Sequence, residues 1–367
     1  MWRTYQVYYY DRDMSGLLLD AVRPFMDQIS PHVGRAYYSR HWLRGPHVRI
    51  NVEADPEVLR DVVRPALDST VGAYLTGKPS TAKIDPAALL EQHTHLAERE
   101  HEPSPLTPLR PDNSIHEGDY DRRLHVLGNQ RAVELLADFY SATTVLAFDT
   151  LDRVRRGDQL AGIAFDIMIA SAHGLSGVGL QRGFVSFRSH SEAFLSWWPE
   201  AEGLRQKWDA HYAAHAESLA TRVRTVMAEV DAKAGAPTPV SRWLDELTPI
   251  QRRGSRLIAT GELAMDPPWA KRYTGDDPVV VELVRKSPFH SRRRPPGEVV
   301  DRVWFDGYRL VLNYTYLQLT RLGLGASERF LLCHLAANAA EDLFGVAATD
   351  TRLPAPGEIA FPHTVRT

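Results

Sequence analysis

The sequence predicts an α+β fold, with an antiparallel sheet and packed helices in its N-terminal part and a mostly helical C-terminal part. Three observations predict it. The first 77 residues follow the order strand, helix, strand, strand, helix. Residues 121–367 carry long apolar runs at helical spacing, and residues 78–120 between them are rich in proline and histidine. The chain therefore reads as one domain over 1–367. It has an α/β portion at 1–77, a loop-rich insert at 78–120 and a mainly helical portion at 121–367.

Residues 2–10 alternate and are aromatic-rich, which predicts a strand. Residues 15–29 place Leu17, Leu18, Ala21, Val22, Phe25 and Met26 at helical spacing, and Pro24 predicts a kink or break there. Residues 35–43 and 47–53 are two strands joined across the turn Arg44-Gly45-Pro46. Residues 56–75 form the next helix, interrupted by Pro65. The insert holds His93, His95, His101 and His116. Zinc on His93 and His95 with a later histidine such as His116 is one reading. An exposed polar loop is the plainer one, because the spacing matches no standard zinc motif.

Residues 122–154 are a long helical pattern, and residues 162–173 an apolar helix containing Asp166 and His173. A carboxylate there must be paired or face a cavity. Residues 181–230 are helical, with Trp197, Trp198 and Trp208 as packing anchors; 231–238 is a linker and 239–264 another helix. Residues 266–297 are loop-like and basic through Lys286, Arg292, Arg293 and Arg294: a patch for an acidic partner, or a solvated loop.

The stretch 310–325, LVLNYTYLQLTRLGLG, sets Asn313, Tyr314, Tyr316 and Gln318 in an apolar run. A helix is favoured because Gly323 and Gly325 stand where a terminating glycine belongs. Asn313, Tyr316, Leu317 and Thr320 then share a face; in a strand Tyr314, Tyr316 and Gln318 would line up instead. A last helix over 327–344 holds Cys333, read as a small buried residue.

Composition narrows the class. Lys plus Arg number 43 against 46 for Asp plus Glu, a net charge of -3, so nothing global argues for nucleic acid. No apolar run reaches membrane-span length and the start has no signal-peptide core, so the simplest reading is a soluble cytoplasmic protein. The single cysteine excludes an intrachain disulfide. There is no Gly-rich phosphate loop, no GxSxG and no HExxH.

Three patterns together resemble the glutamate-elimination domain of lantibiotic dehydratases and the thiopeptide-biosynthesis proteins similar to it. They are the opening Trp2-Arg3-Thr4-Tyr5 before a helix with Leu17-Leu18, and Tyr37-Tyr38-Ser39-Arg40 followed by Gly45-Pro46-His47-Val48-Arg49-Ile50. The third is Tyr316-Leu317-Gln318-Leu319-Thr320-Arg321-Leu322-Gly323, in the place of the family's "HMxxNRLxG". The departures point further. Tyr316 stands for the family's acid/base His. Asn51 stands for the second Arg of "RlR", and residues 123–129 lack the Glu and Arg of "ExxRYGG".

A scaffold without its elimination residues resembles the thiopeptide pyridine synthases. The resemblance implies a cofactor-independent enzyme, with no metal. It would perform a formal [4+2] cycloaddition of two dehydroalanines in an azole-bearing precursor peptide, then release water and an acidic leader. Tyr316, Gln318, Asn313 and Tyr314 are the implied catalytic set, with Arg40, His47 and Arg49 against the substrate and Arg292, Arg293 and Arg294 against the leader. Other biosynthetic enzymes are possible partners. A reacting Tyr316 requires an open hollow beside its hydroxyl. The rivals are a glutamate-elimination lyase, a non-catalytic peptide-binding partner and, weaker, a metallohydrolase on His93, His95 and His116.

Overall fold

The computed structural model describes residues 1–198, 200–232, 236–266, 281, 285–287, 289–292 and 299–359, apart from the side chains of Arg99 and Trp197. The chain divides into two compact units: Met1–Gly157 with Arg321–Gly323, and Asp158–Thr320 with Leu324–Thr367.

The first unit is built on a four-stranded antiparallel sheet. Its strands are β1 (Trp2–Tyr8), β2 (Arg35–His41), β3 (His47–Glu53) and β4 (Ser114–Asp119), in the order β2-β3-β1-β4. The register sets Thr4 opposite Asn51 and Tyr5 opposite Ile50. β3 is buried from His47 to Val52, as an inner strand paired on both edges should be. β4 lies in the segment expected to be a loop. As an edge strand reading SIHEGD it has little of the β-branched, alternating pattern by which strands are recognised. Helix α3 (Pro86–Glu100) occupies the same segment, capped by Asp85, whose side chain accepts from the Ala87 amide.

The helical runs α1 (15–29) and α2 (56–77) carry the prolines that were expected to break them. Neither breaks. In each, a π-type turn, Leu18–Val22 or Leu59–Val63, immediately precedes the proline-bearing segment. The wider turn accommodates a residue that cannot donate to the ladder and whose ring crowds the preceding turn. Two further helices, α4 (Gln130–Ala142) and α5 (Thr144–Arg155), complete the unit; α4 packs on β2 and starts at Asn129, whose side chain accepts from the Ala132 amide.

The second unit is helical: α6 (Leu160–Gly174), α7 (Val185–Trp197), α8 (Ala201–Ala232), α9 (Pro239–Ala259), α10 (Arg302–Leu322) and α11 (Ala326–Phe344). Thr238 caps α9 and Pro239 takes its first position. The helical reading of the central stretch holds, since α10 runs to Leu322 and Gly323 follows at φ +106. Three buried side-chain bonds anchor α10 here. Trp304 Nε1 donates to the Ser176 carbonyl (2.7 Å), Tyr308 hydroxyl to the Gly183 carbonyl (2.9 Å) and Thr315 Oγ1 to Ser171 Oγ (3.0 Å). Asp166 and His173 are paired, with Arg222 and Asp231 respectively. Trp208 is a buried anchor, but Trp198 is 43% exposed, and the Trp197 side chain lies outside the described residues. Among the described residues, no helix is long and apolar enough to cross a membrane.

Candidate active site

Helix α10 directs Tyr316 into the packing of the second unit. The residue is 8% exposed. Its hydroxyl lies 2.8 Å from His190 Nδ1 on α7 and 3.4 Å from Cys333 Sγ on α11, and the Arg329 guanidinium sits 5.3 Å from its ring centre. Burial and the neighbouring Cys333 hold the phenol well above its ordinary pKa. Burial, with the charges of Arg329 and Arg309, pushes the His190 imidazole down to about 4. Both groups are therefore neutral near pH 7. A neutral phenol and a neutral imidazole can share a proton at low cost where an ion would be expensive.

The residue before His190 starts a second chain. Ser189 Oγ lies 3.1 Å from His290 Nε2, and His290 Nδ1 lies 2.8 Å from Ser287 Oγ. Ser287 also accepts the His290 backbone N–H (3.2 Å), and its hydroxyl stands 3.5 Å from Glu192 Oε2. Glu192 is held by the two terminal guanidinium nitrogens of Arg205, at 2.6 and 2.8 Å. Burial lowers the His290 pKa.

In the first unit, His47 is buried, with Nδ1 2.8 Å from the Gly45 carbonyl, and burial and Arg49 push its pKa down to about 3. Arg49 donates to His47 Nε2 (3.2 Å) and Asp121 (3.2 Å). Asn51 is buried and accepts from Thr4 Oγ1 at 2.6 Å, a neutral cross-strand pair. Arg321, 1% exposed, donates to the Tyr140 and Thr143 carbonyls (2.8 and 2.6 Å) and to Thr143 Oγ1 (2.6 Å). It thereby sets a cation at the C-terminal end of α4, where a helix end favours one. Arg40 donates to the Arg321 carbonyl (3.0 Å), and its guanidinium lies against Gly323, 3.1 Å from where a Cβ would stand.

The site residues expected from sequence are thus only partly brought together. Tyr316 finds His190 and Cys333 rather than Asn313. Asn313 and Leu317 are half-buried and Thr320 exposed, whereas Tyr314 and Gln318 are buried elsewhere around the helix. Among the described residues, the Tyr316 hydroxyl that was expected to face a hollow meets His190 and Cys333. Tyr316 lines neither the cavity of about 640 Å³ beside Thr238, Leu244 and Gln251 nor that of about 490 Å³ beside Trp2, Arg35 and Tyr120. Arg292 is described; Arg293 and Arg294 lie outside the described residues. His93 packs against Trp42, His116 lies beside Tyr8 and His95 is exposed, so the three histidines are not one ligand set. Among the described residues no group of three His, Cys, Asp or Glu is placed to hold a metal ion. Sequence reasoning missed Ser189, His190, Ser287, His290 and Glu192. Their one signal was the polar stretch Arg188–His190 inside a helical pattern.

The family model "Lantibiotic biosynthesis dehydratase C-term" matches residues 2–340. The chain belongs to that family. Among solved structures it is similar to TbtD, a pyridine synthase from thiomuracin biosynthesis. The two are 38% identical over 94% of this chain and 99% of that one, with a TM-score of 0.79. TsrL shares the fold, at 21% identity, 97% and 99% coverage and a TM-score of 0.69. No curated protein matches. Within its family the chain is a thiopeptide pyridine synthase. In this pyridine synthase Arg321 and Gly323 serve the fold, while Tyr316 is a buried phenol bonded to His190.

Proposed function

We propose that this pyridine synthase closes the ring by a formal [4+2] cycloaddition between two dehydroalanines of a precursor peptide, one of them reacting through the iminol form of its amide. The adduct then loses water and, as a carboxamide, the leader peptide. The observation that carries this reading is the 38% identity to TbtD across nearly the full length of both chains.

His190 is the group to which we give the first proton step. We assign the Tyr316 hydroxyl as the donor to Nδ1, 2.8 Å away, which leaves the ring proton on Nε2. A neutral imidazole N–H can then hold the amide carbonyl oxygen as it becomes a hydroxyl, without an ion being buried. Tyr316 is on this reading a positioning residue, not one that touches the peptide. His190→Gln should slow conversion about 100-fold and Tyr316→Phe about 10-fold, with the fold intact. Purified protein would be given a leader-bearing peptide with two dehydroalanines, and loss of water and leader carboxamide followed by mass. Dehydroalanine formed from a glutamylated peptide would instead favour the lyase. Product appearing only with other proteins added would favour the non-catalytic partner.

A further inference from the structure

We propose that Ser189 and His290 are the base that aromatises the ring, removing the carbon-bound hydrogen whose loss expels the leader. The proposal rests on the functional reading above and assigns a different step to different residues.

The hydrogen-bond directions follow from the inventory of donors. Glu192 is acceptor-only as a carboxylate, and Arg205 keeps it charged. The proposal assigns the Ser287 hydroxyl proton to Glu192 Oε2, 3.5 Å away. Its lone pairs face the His290 backbone N–H and His290 Nδ1. On that assignment Nδ1 carries the ring proton and Nε2 is the free base. Among the described residues the group at Nε2 is the Ser189 hydroxyl, 3.1 Å away, which on this assignment donates to it. The order Glu192, Ser287, His290, Ser189 is that of an activated hydroxyl: carboxylate, orienting link, imidazole, proton carrier. Ser189 and His290 are both half-buried, so the chain starts within reach of a bound molecule. Mid-helix, Ser189 has no free backbone N–H beside it to stabilise an acyl oxyanion, which argues for proton transfer and against a covalent adduct.

The step balances. The ring carbon bearing the leader nitrogen has a methylene neighbour. Ser189 takes one methylene hydrogen as a proton and passes its own to His290 Nε2. The C–H electron pair becomes the last ring double bond. The carbon–nitrogen bond breaks, its pair stays on nitrogen, and that nitrogen takes a proton and leaves as the leader carboxamide. His290 returns its proton to solvent or to the departing amide, so nothing is oxidised or consumed. Because Ser189 and His190 are consecutive on α7, their side chains leave the helix about 100° apart, and two proton carriers serve two positions of one substrate.

Two measurements test this. In 15N-histidine-labelled protein without substrate, the His290 resonances, assigned by their loss in His290→Gln, should show Nδ1 protonated and Nε2 bare at neutral pH. The opposite tautomer would overturn the dyad. In single-turnover reactions with the dehydroalanine peptide, Ser189→Ala and His290→Gln should each slow leader release about 100-fold while an adduct still bearing the leader accumulates. The double variant should be little worse than either single one, since the two act as a unit. Release at the wild-type rate, or a uniform loss of conversion with no accumulating adduct in a variant that melts like wild type, would also overturn it. Wild-type protein that forms no pyridine would sink the functional reading and the role of the dyad with it, whereas the tautomer is read without any substrate.

Discussion

Two polar clusters on helix α10 handle burial in opposite ways. At Arg321 a full charge is enclosed and made tolerable by carbonyl and hydroxyl acceptors, with the Tyr38 and Tyr140 rings 5.4 and 5.3 Å from the guanidinium carbon. At Tyr316 no charge is enclosed: phenol, imidazole and thiol are all held neutral by burial. The first arrangement is rigid, because every donor–acceptor direction is set by a planar fork. The second is adaptable, since each member can donate or accept. A buried cation suits a structural pin, and a chain of neutral hydroxyls and imidazoles suits proton movement.

The largest expected effect breaks the pin. Arg321→Met removes the guanidinium donors from the Thr143 hydroxyl and from the Tyr140 and Thr143 carbonyls, which keep the Thr144 hydroxyl and the Ala147 amide, and should cost roughly 2–4 kcal/mol. A denaturation midpoint would record it, and a loss under 1 kcal/mol would mean that the cluster is not the pin described. Gly323→Ala comes next. At φ +106, with the Arg40 guanidinium 3.1 Å from the new Cβ, a cost of about 1–3 kcal/mol is expected by the same measurement.

The smallest effect is in pH. His190 and His47 titrate near 6.5 when unfolded but at about 4 and about 3 when folded. Between those values the unfolded chain binds protons that the native state does not. Stability is therefore full above pH 6.5 and falls as pH drops toward 4, with each group contributing a slope of at most about 1.4 kcal/mol per pH unit. His190→Gln should flatten that fall. Arg321→Met should leave its slope unchanged, because an arginine stays charged throughout the window.

Much of this fold was legible in the sequence, and for identifiable reasons. Strands β1 to β3 and helix α10 announce themselves through apolar periodicity and a terminating glycine, which are local signals. The pairing of Asp166 could be foreseen because a buried carboxylate has few options. Strand β4 was not legible: SIHEGD owes its extended form to hydrogen bonds with β1, more than a hundred positions earlier, with Ser114 opposite Tyr8 and Asp119 opposite Arg3. The prolines of α1 and α2 misled, because a π turn absorbs them and leaves no mark in composition. At the site, Tyr316 was conspicuous as a polar residue in an apolar run. His190 and the Ser189–His290 chain were invisible because each pair joins positions about a hundred or more residues apart, and no short motif spans such a gap.

The lone cysteine has a consequence for an enzyme whose substrate carries dehydroalanines. Such alkenes are electrophiles, and a thiolate adds to them readily. Burial pushes the Cys333 thiol up to about 12, and the chain holds no other sulfhydryl. The catalyst thus offers its own reactive peptide no sulfur nucleophile with which to be poisoned.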